Sequence, residues 1–453
     1  MKTTLVGRPQ LKTEVAKKYI LFCPGPEYLF WAGGYYLAWE LSRTYRVVLV
    51  TDHPFNDLER VRSLIRGGIL EDFIPFIPHK ETILGIRKAY FKHKYFKHLT
   101  DNIFCKYKFA AIIQHTDLGP PNMYLFRRAK SENIIRVLYR PSAVPRDYYN
   151  DYVITKNLLI NRLQNDLGIS RLVASALFYL RQFFGYYFNF WLVPFILTGR
   201  VFKPRIGSII RKINFLNKHR GDYDFVIIYS ERDKKSSDAN GEPSSLVKNP
   251  LYTCGNEANG YLFKGIEEKN KILILPTSGE VEMFMKSNND YSTDKVEYYA
   301  SQWVEAIIIL QGKFPEFEIC IKYPPTSSSE LLFDKAMNIL TSAIRSIKVI
   351  DRHESAEKLI VESRVIVGSF TSGLWWASEL PNAKTVISLD LWRVSGGDKF
   401  SDVGNICYFK SLGELSEFNF TASCVVSKYA ASVPTITDFL MEHSQRLSPV
   451  SGQ

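Results

Sequence analysis

RVIVGSFTSGLWWASELPNAKTVIS (residues 364–388) sets the fold class. An uninterrupted apolar run ends at Gly368, a turn of hydroxyl residues follows, a helix-forming stretch comes next, and KTVIS opens a second apolar run. A strand apolar on both faces, joined through a helix to another such strand, is the pattern of a parallel sheet covered by helices. Ser369, Thr371 and Ser372 fall in the turn and at the expected helix start, where hydroxyls cap free backbone N–H groups and an anion can dock. Gly373 lacks the Cβ that would keep a ligand off the backbone. Glu379 lies seven residues beyond Ser372, about two helical turns along, so it is expected on the same side and able to accept from ribose hydroxyls. Ligands in open α/β sheets bind at the carboxyl ends of strands, where this turn falls.

The same alternation extends in both directions. KILILP (271–276), FEICIKYPP (317–325), IKVID (347–351) and KTVISLD (384–390) read as strands with helical stretches between them. Before residue 233, KYILFC (18–23), YRVVLVTD (45–52), FAAIIQHTD (109–117), IIRVLYR (134–140) and DFVIIYSERD (224–233) repeat the signal. KKSSDANGEPSSLVKNP, rich in Ser, Gly and Pro, reads as a loop or linker. The expected organisation is α/β with two Rossmann-like domains facing across a cleft. Residues 1–233 are expected to form the first domain, with a helical insertion at 150–215. Residues 234–261 are expected to form the linker, and 262–453 the second domain.

Other strand ends supply further candidates. Lys322 in IKYPP is placed to pair with phosphate, His353 in IDRHESAEK to contact a nucleobase, and Thr277 and Ser278 in LPTSGE to line the cleft. In the first half, PGPEYLFWAGG (24–34) offers Gly33 and Gly34 for close approach of a sugar ring. An inverting transfer needs one base to take the acceptor proton. Glu27, His115, Asp117 and Glu231 are the candidates, the last on the acceptor side.

Composition narrows the classes. Of 453 residues, 46% are hydrophobic and 23% charged, as in a globular protein, and the net charge is +12. The basic residues are scattered and no zinc-finger or RNA-binding motif accompanies them, so no nucleic-acid partner is expected. GxGxxG, GxxxxGK[ST] and HExxH are absent, and the DxD at Asp222–Tyr223–Asp224 precedes a strand rather than leaving one. No resident cofactor and no metal are expected. Six dispersed cysteines read as free thiols in a cytoplasmic protein. FFGYYFNFWLVPFILTG (183–199), with Arg181, Arg200, Lys203 and Arg205 around it, reads as an interfacial helix at the inner membrane face.

Strand, Gly-rich loop, helix and VVLVTD near the N-terminus, with the Ser/Thr turn and Glu379 after RVIVG, resemble the GT-B glycosyltransferases. More narrowly, the chain resembles bacterial surface-polysaccharide (capsule or O-antigen) glycosyltransferases. Those using CMP-activated sugars often carry His-Pro after a C-domain strand, whereas Tyr323-Pro324 stands here. The resemblance implies a nucleotide-sugar donor, contacts from Ser369, Thr371, Ser372 and Glu379, a base in the first half, and a glycan or lipid-linked acceptor. Two rivals fit the same sequence: a nucleotide-sugar epimerase of the same fold, and a non-catalytic scaffold of a polysaccharide assembly complex.

Overall fold

A computed structural model describes residues 17–51, 53–75, 86–115, 120–139, 160, 164, 167–186, 192–198, 223–239, 242–277, 280–281, 284–285, 292–324, 330–352, 354–369, 371–380, 384–391, 406–420 and 432–447. They form two all-parallel sheets. The first comprises β1 (Tyr19–Cys23), β2 (Arg46–Val50), β3 (Asp72–Ile74), β4 (Phe109–Gln114), β5 (Ile135–Tyr139), β6 (Phe225–Ile228) and β7 (Ser244–Leu246), in the order β3-β2-β1-β4-β5-β6-β7. The second comprises β8 (Lys269–Leu275), β9 (Glu318–Lys322), β10 (Lys348–Ile350), β11 (Ser363–Gly368), β12 (Thr385–Leu389) and β13 (Cys407–Phe409), in the order β10-β9-β8-β11-β12-β13. Each sheet begins at its centre, runs to one edge, then returns and runs to the other. This leaves a topological switch point between β1 and β4 and another between β8 and β11.

The period-two alternation of the strands builds three layers of core. Leu21, Val48 and Ile112 pack on one side of the first sheet, and Ile272, Ile274, Val365 and Val367 on one side of the second. The remaining faces, among them Ile20, Phe22, Leu273, Leu275 and Ile366, join a single cluster that runs through both domains. Tyr229, just past β6, stacks on Trp375 after β11, with ring centroids 6.4 Å apart. Tyr36 lies 6.0 Å from Trp376. Residues beyond the carboxyl ends of the two sheets therefore meet.

The 234–261 stretch is not bare loop. It falls within the helix Glu231–Ala239, the edge strand β7 of the first sheet, and the helix Pro250–Leu262. Asn249 caps that last helix by accepting from Leu251 N, with Pro250 at its first turn. It packs against Tyr35–Ser42, and Tyr35 Oη and Tyr36 Oη donate to Ala258 O (2.9 Å) and Asn259 Oδ1 (2.6 Å). The final helix, Ile436–Leu447, returns to the first domain, where Phe439 and His443 pack on Phe225. Helices Arg171–Tyr186 and Val193–Thr198 lie within the expected helical insertion. Cys23, Cys254 and Cys320 are buried thiols, as expected. Cys105 is exposed and Cys407 is disulfide-bonded, a pairing that spacing along the chain did not flag.

Candidate functional site

β8 and β11 run side by side as far as the pair Gly368–Leu275 and then separate. A Cβ on Gly368 would come within 2.8 Å of Thr371 Cγ2 and 3.1 Å of Leu275 O, so glycine keeps the two exits close. Gly373 has a similar duty: its Cβ would meet Leu275 Cδ1 at 2.9 Å, so its close neighbour is the β8 strand end and not open space for a ligand. Thr371 caps the short helix Ser372–Ser378 by accepting from Gly373 N at 3.2 Å. That hydroxyl and that amide serve each other. Trp375 and Trp376 seal the body of the helix in the shared core, while Thr371 and Gly373 at its start remain half-buried.

Three buried side-chain oxygens at this switch point have no hydrogen-bond partner among the described residues: Thr277 Oγ1, Glu280 Oε1 and Ser369 Oγ. Leaving a buried polar atom unpaired costs about 1–3 kcal/mol, so three in one place call for a ligand or water. Glu280 is 1% exposed and Ser369 8%. Burial pushes the Glu280 carboxyl up to about 8; Asp390 adds to the rise, and Ser369 and Tyr299 oppose it. The Ser369 hydroxyl is near enough to favour the carboxylate without meeting hydrogen-bond geometry. Sequence reading stopped one residue short of Glu280. Its signal was a carboxylate following Thr-Ser-Gly at a strand exit.

The other donor-side candidates are dispersed. Lys322 is buried, and its ammonium donates to Tyr323 O (2.6 Å) and Arg352 O (2.7 Å), tying the ends of β9 and β10 together. Desolvation lowers its pKa. Glu379 is the C-cap of Ser372–Ser378, at the far end from Thr371. Ser372 opens the helix, but its side chain, like Ser278 and His353, lies outside the described residues.

At the first switch point, Gly25 adopts φ +85°, and a Cβ there would lie 2.5 Å from the His115 ring. His115 N donates to Cys23 O at 3.1 Å, holding the His115 backbone at the β1 exit. Glu27 is a clamp: it accepts from Asn56 N (2.7 Å), Asp57 N (2.9 Å) and Trp31 Nε1 (3.2 Å), holding the loop after β2. Gly33 and Gly34 belong to a π-helical turn, Phe30–Gly34. A Cβ on Gly34 would meet Phe22 and Pro24 at 3.1 and 3.2 Å, so this glycine serves helix–strand packing. Glu231 is exposed in the first turn of its helix, and Asp117 lies outside the described residues. Asp224 of the DxD binds the Arg136 guanidinium and backbone N–H, a structural ion pair at the amino ends of β5 and β6.

No protein-family model matches the chain, and no curated protein matches its sequence. Solved structures resemble it in fold. UDP-GlcNAc 2-epimerase from Methanocaldococcus jannaschii aligns over 95% of this chain and 99% of its own, with 10% identity and a TM-score of 0.49. UDP-GlcNAc 2-epimerase from Neisseria meningitidis bound to UDP-GlcNAc aligns over 88% and 89%, at 12% and 0.46. A glycosyltransferase from Rickettsia africae ESF-5 aligns over 95% and 94%, at 10% and 0.44. These are likenesses of fold.

Proposed function

We propose that the protein is an inverting glycosyltransferase that binds a nucleotide sugar at the β8/β11 switch point and passes the sugar to a glycan or lipid-linked acceptor, in the manner of surface-polysaccharide enzymes. One observation carries the reading: Thr277, Glu280 and Ser369 leave three unpaired buried oxygens at the strand exits where open α/β sheets take ligands. Hydroxyls suit phosphate oxygens, which accept only. On the opposite sheet the first switch point offers the base. Glu27 is committed to three donors, so the role falls to His115 or Asp117. The base takes the acceptor hydroxyl proton, the acceptor oxygen bonds to the anomeric carbon, and the bond from that carbon to the phosphate oxygen breaks. The nucleotide leaves with both electrons.

The test is thermal stabilisation by UDP, GDP, CMP and their sugars. A ligand at a hundredfold excess over its Kd adds about 2.7 kcal/mol of stability. The Thr277→Val/Ser369→Ala variant is expected to lose most of that shift. A parent that none of these nucleotides stabilises would sink the reading. Incubation of the binding nucleotide sugar without acceptor separates transfer from epimerisation, because a transferase with no acceptor leaves the donor sugar as it is, whereas an epimerase inverts one of its ring carbons.

Peripheral membrane contact completes the proposal. Leu172 (81% exposed), Leu177, Leu180 and Ile196 stand out from Arg171–Tyr186 and Val193–Thr198. No helix among the described residues is long and apolar enough to cross a membrane. Co-sedimentation with phosphatidylglycerol vesicles is expected for the parent and not for Leu172→Glu/Leu177→Glu. Equal recovery of both proteins in the pellet would refute it.

A further inference from the structure

A directed chain of hydrogen bonds runs beneath the second switch point. Trp303 Nε1 donates to Tyr299 Oη at 3.0 Å, and Tyr299 Oη donates to Glu280 Oε2 at 3.0 Å. All three side chains are buried. Tryptophan only donates, which fixes the direction: the single phenolic proton of Tyr299 points to Glu280. Burial holds that phenol well above its ordinary pKa, so it keeps its proton. Glu280 Oε1 and Ser369 Oγ are then left, each without a partner among the described residues and close enough for one to act on the other.

We propose that Glu280 is a positioning residue that acts as a neutral acid: its Oε1–H donates to Ser369 Oγ and so turns the Ser369 proton outward, to an oxygen of the donor phosphate. This rests on the nucleotide-binding reading and assigns the group that sets the direction of its hydroxyl. Ionisation of Glu280 reverses the last link. The carboxylate becomes an acceptor, Ser369 turns its O–H inward, and the site loses a donor while gaining a charge that repels phosphate. The groups facing Glu280 are Tyr299 from Thr293–Lys313, Ser369 at the β11 exit, and Asp390 after β12, which accepts from Tyr408 Oη at 2.6 Å. Burial, with a smaller push from Asp390, keeps the acid form populated at neutral pH, against the opposing pull of Ser369 and Tyr299.

The experiment titrates the parent and Glu280→Gln with UDP, GDP and CMP between about pH 7 and about pH 9. The parent Kd is expected to rise roughly tenfold over that interval, as the neutral fraction falls. Gln accepts from Tyr299 and donates to Ser369, so its variant is expected to bind within about threefold of the parent at neutral pH and to stay level. Titration of the nucleotide itself appears equally in both proteins. Ser369→Ala, which does not disturb the buried chain, is expected to bind more weakly at neutral pH and to keep only the shallower slope that the Glu280 charge itself imposes on phosphate. A parent that binds without a slope overturns this inference and leaves the nucleotide reading standing, as does a Ser369→Ala variant that keeps the full slope of the parent. A parent that binds no nucleotide overturns both.

Discussion

Replacing Glu40 with Ala is expected to lower the melting temperature by roughly 5 °C or more, whereas Glu40→Gln should come close to the parent. Glu40 is 3% exposed and ties three elements together. Its Oε1 accepts from Ile436 N (3.0 Å) and Thr437 N (3.5 Å), the first turn of the returning C-terminal helix, and its Oε2 accepts from Thr253 Oγ1 of the Pro250–Leu262 helix. Alanine leaves the Ile436 and Thr437 N–H groups buried and unpaired, at about 1–3 kcal/mol each where water cannot reach them. Glutamine keeps a carbonyl for the helix N-terminus. Its amide can donate to Thr253 Oγ1, whose own proton has a second acceptor in Pro250 O at 3.2 Å. Burial raises the Glu40 pKa above its ordinary 4.5, and the hydrogen bonds from Thr253, Thr437 and Ile436 only partly offset this. The sign follows. A raised carboxyl contributes stability that is complete below the unfolded value and fades as pH rises through the folded one. The Gln variant should therefore gain on the parent as pH increases from about 4.5 towards neutrality. Thermal melts of the three proteins across that range check both points. Equal melting of Glu40→Ala and the parent would remove Glu40 from the joint between domains.

Strands with uniform apolar runs, such as RVVLV, KILIL and RVIVG, were legible because a strand buried on both faces carries its environment in its own composition. The strands missed were β3, β7 and β13, three-residue edge strands reading DFI, SSL and CYF. The turn after Gly368 and the Thr277 exit were found from their own residues, since a strand exit followed by hydroxyls is a local pattern. Long-range partners leave no such trace. Glu27 looked like a base until Asn56 and Asp57, about thirty residues on, took up its oxygens. Lys322 looked like a phosphate ligand until the Arg352 carbonyl closed on it. Gly34 and Gly373 looked like openings for a ligand, but the space beside each is filled by Phe22 and Pro24 or by Leu275. Glu280 was passed over for the opposite reason: its significance lies in Tyr299, on a helix that the sequence gives no cause to place beneath it.

Gly25→Ala is expected to slow transfer by roughly a hundredfold, because a catalytic group displaced by about 1 Å loses that much. Two effects act together. A residue with a Cβ held at φ +85° pays about 1–2 kcal/mol for the left-handed conformation. The new methyl would also lie 2.5–2.6 Å from Cε1, Nδ1 and Nε2 of His115, closer than Cβ contacts allow. The His115 backbone is held to Cys23 O, so the imidazole must swing away from the β1 exit. A double-mutant cycle separates the two effects. In a His115→Ala background the ring is gone, and Gly25→Ala should cost only the backbone strain, about 1–2 kcal/mol in chemical denaturation, with no further loss of rate. In the parent background both the strain and the clash should appear, and the rate should fall to near that of His115→Ala. If Gly25→Ala costs the same in both backgrounds, the imidazole is not what the glycine makes room for. If His115→Ala retains the parent rate, the base is the neighbouring Asp117, and Gly25 shapes only the loop.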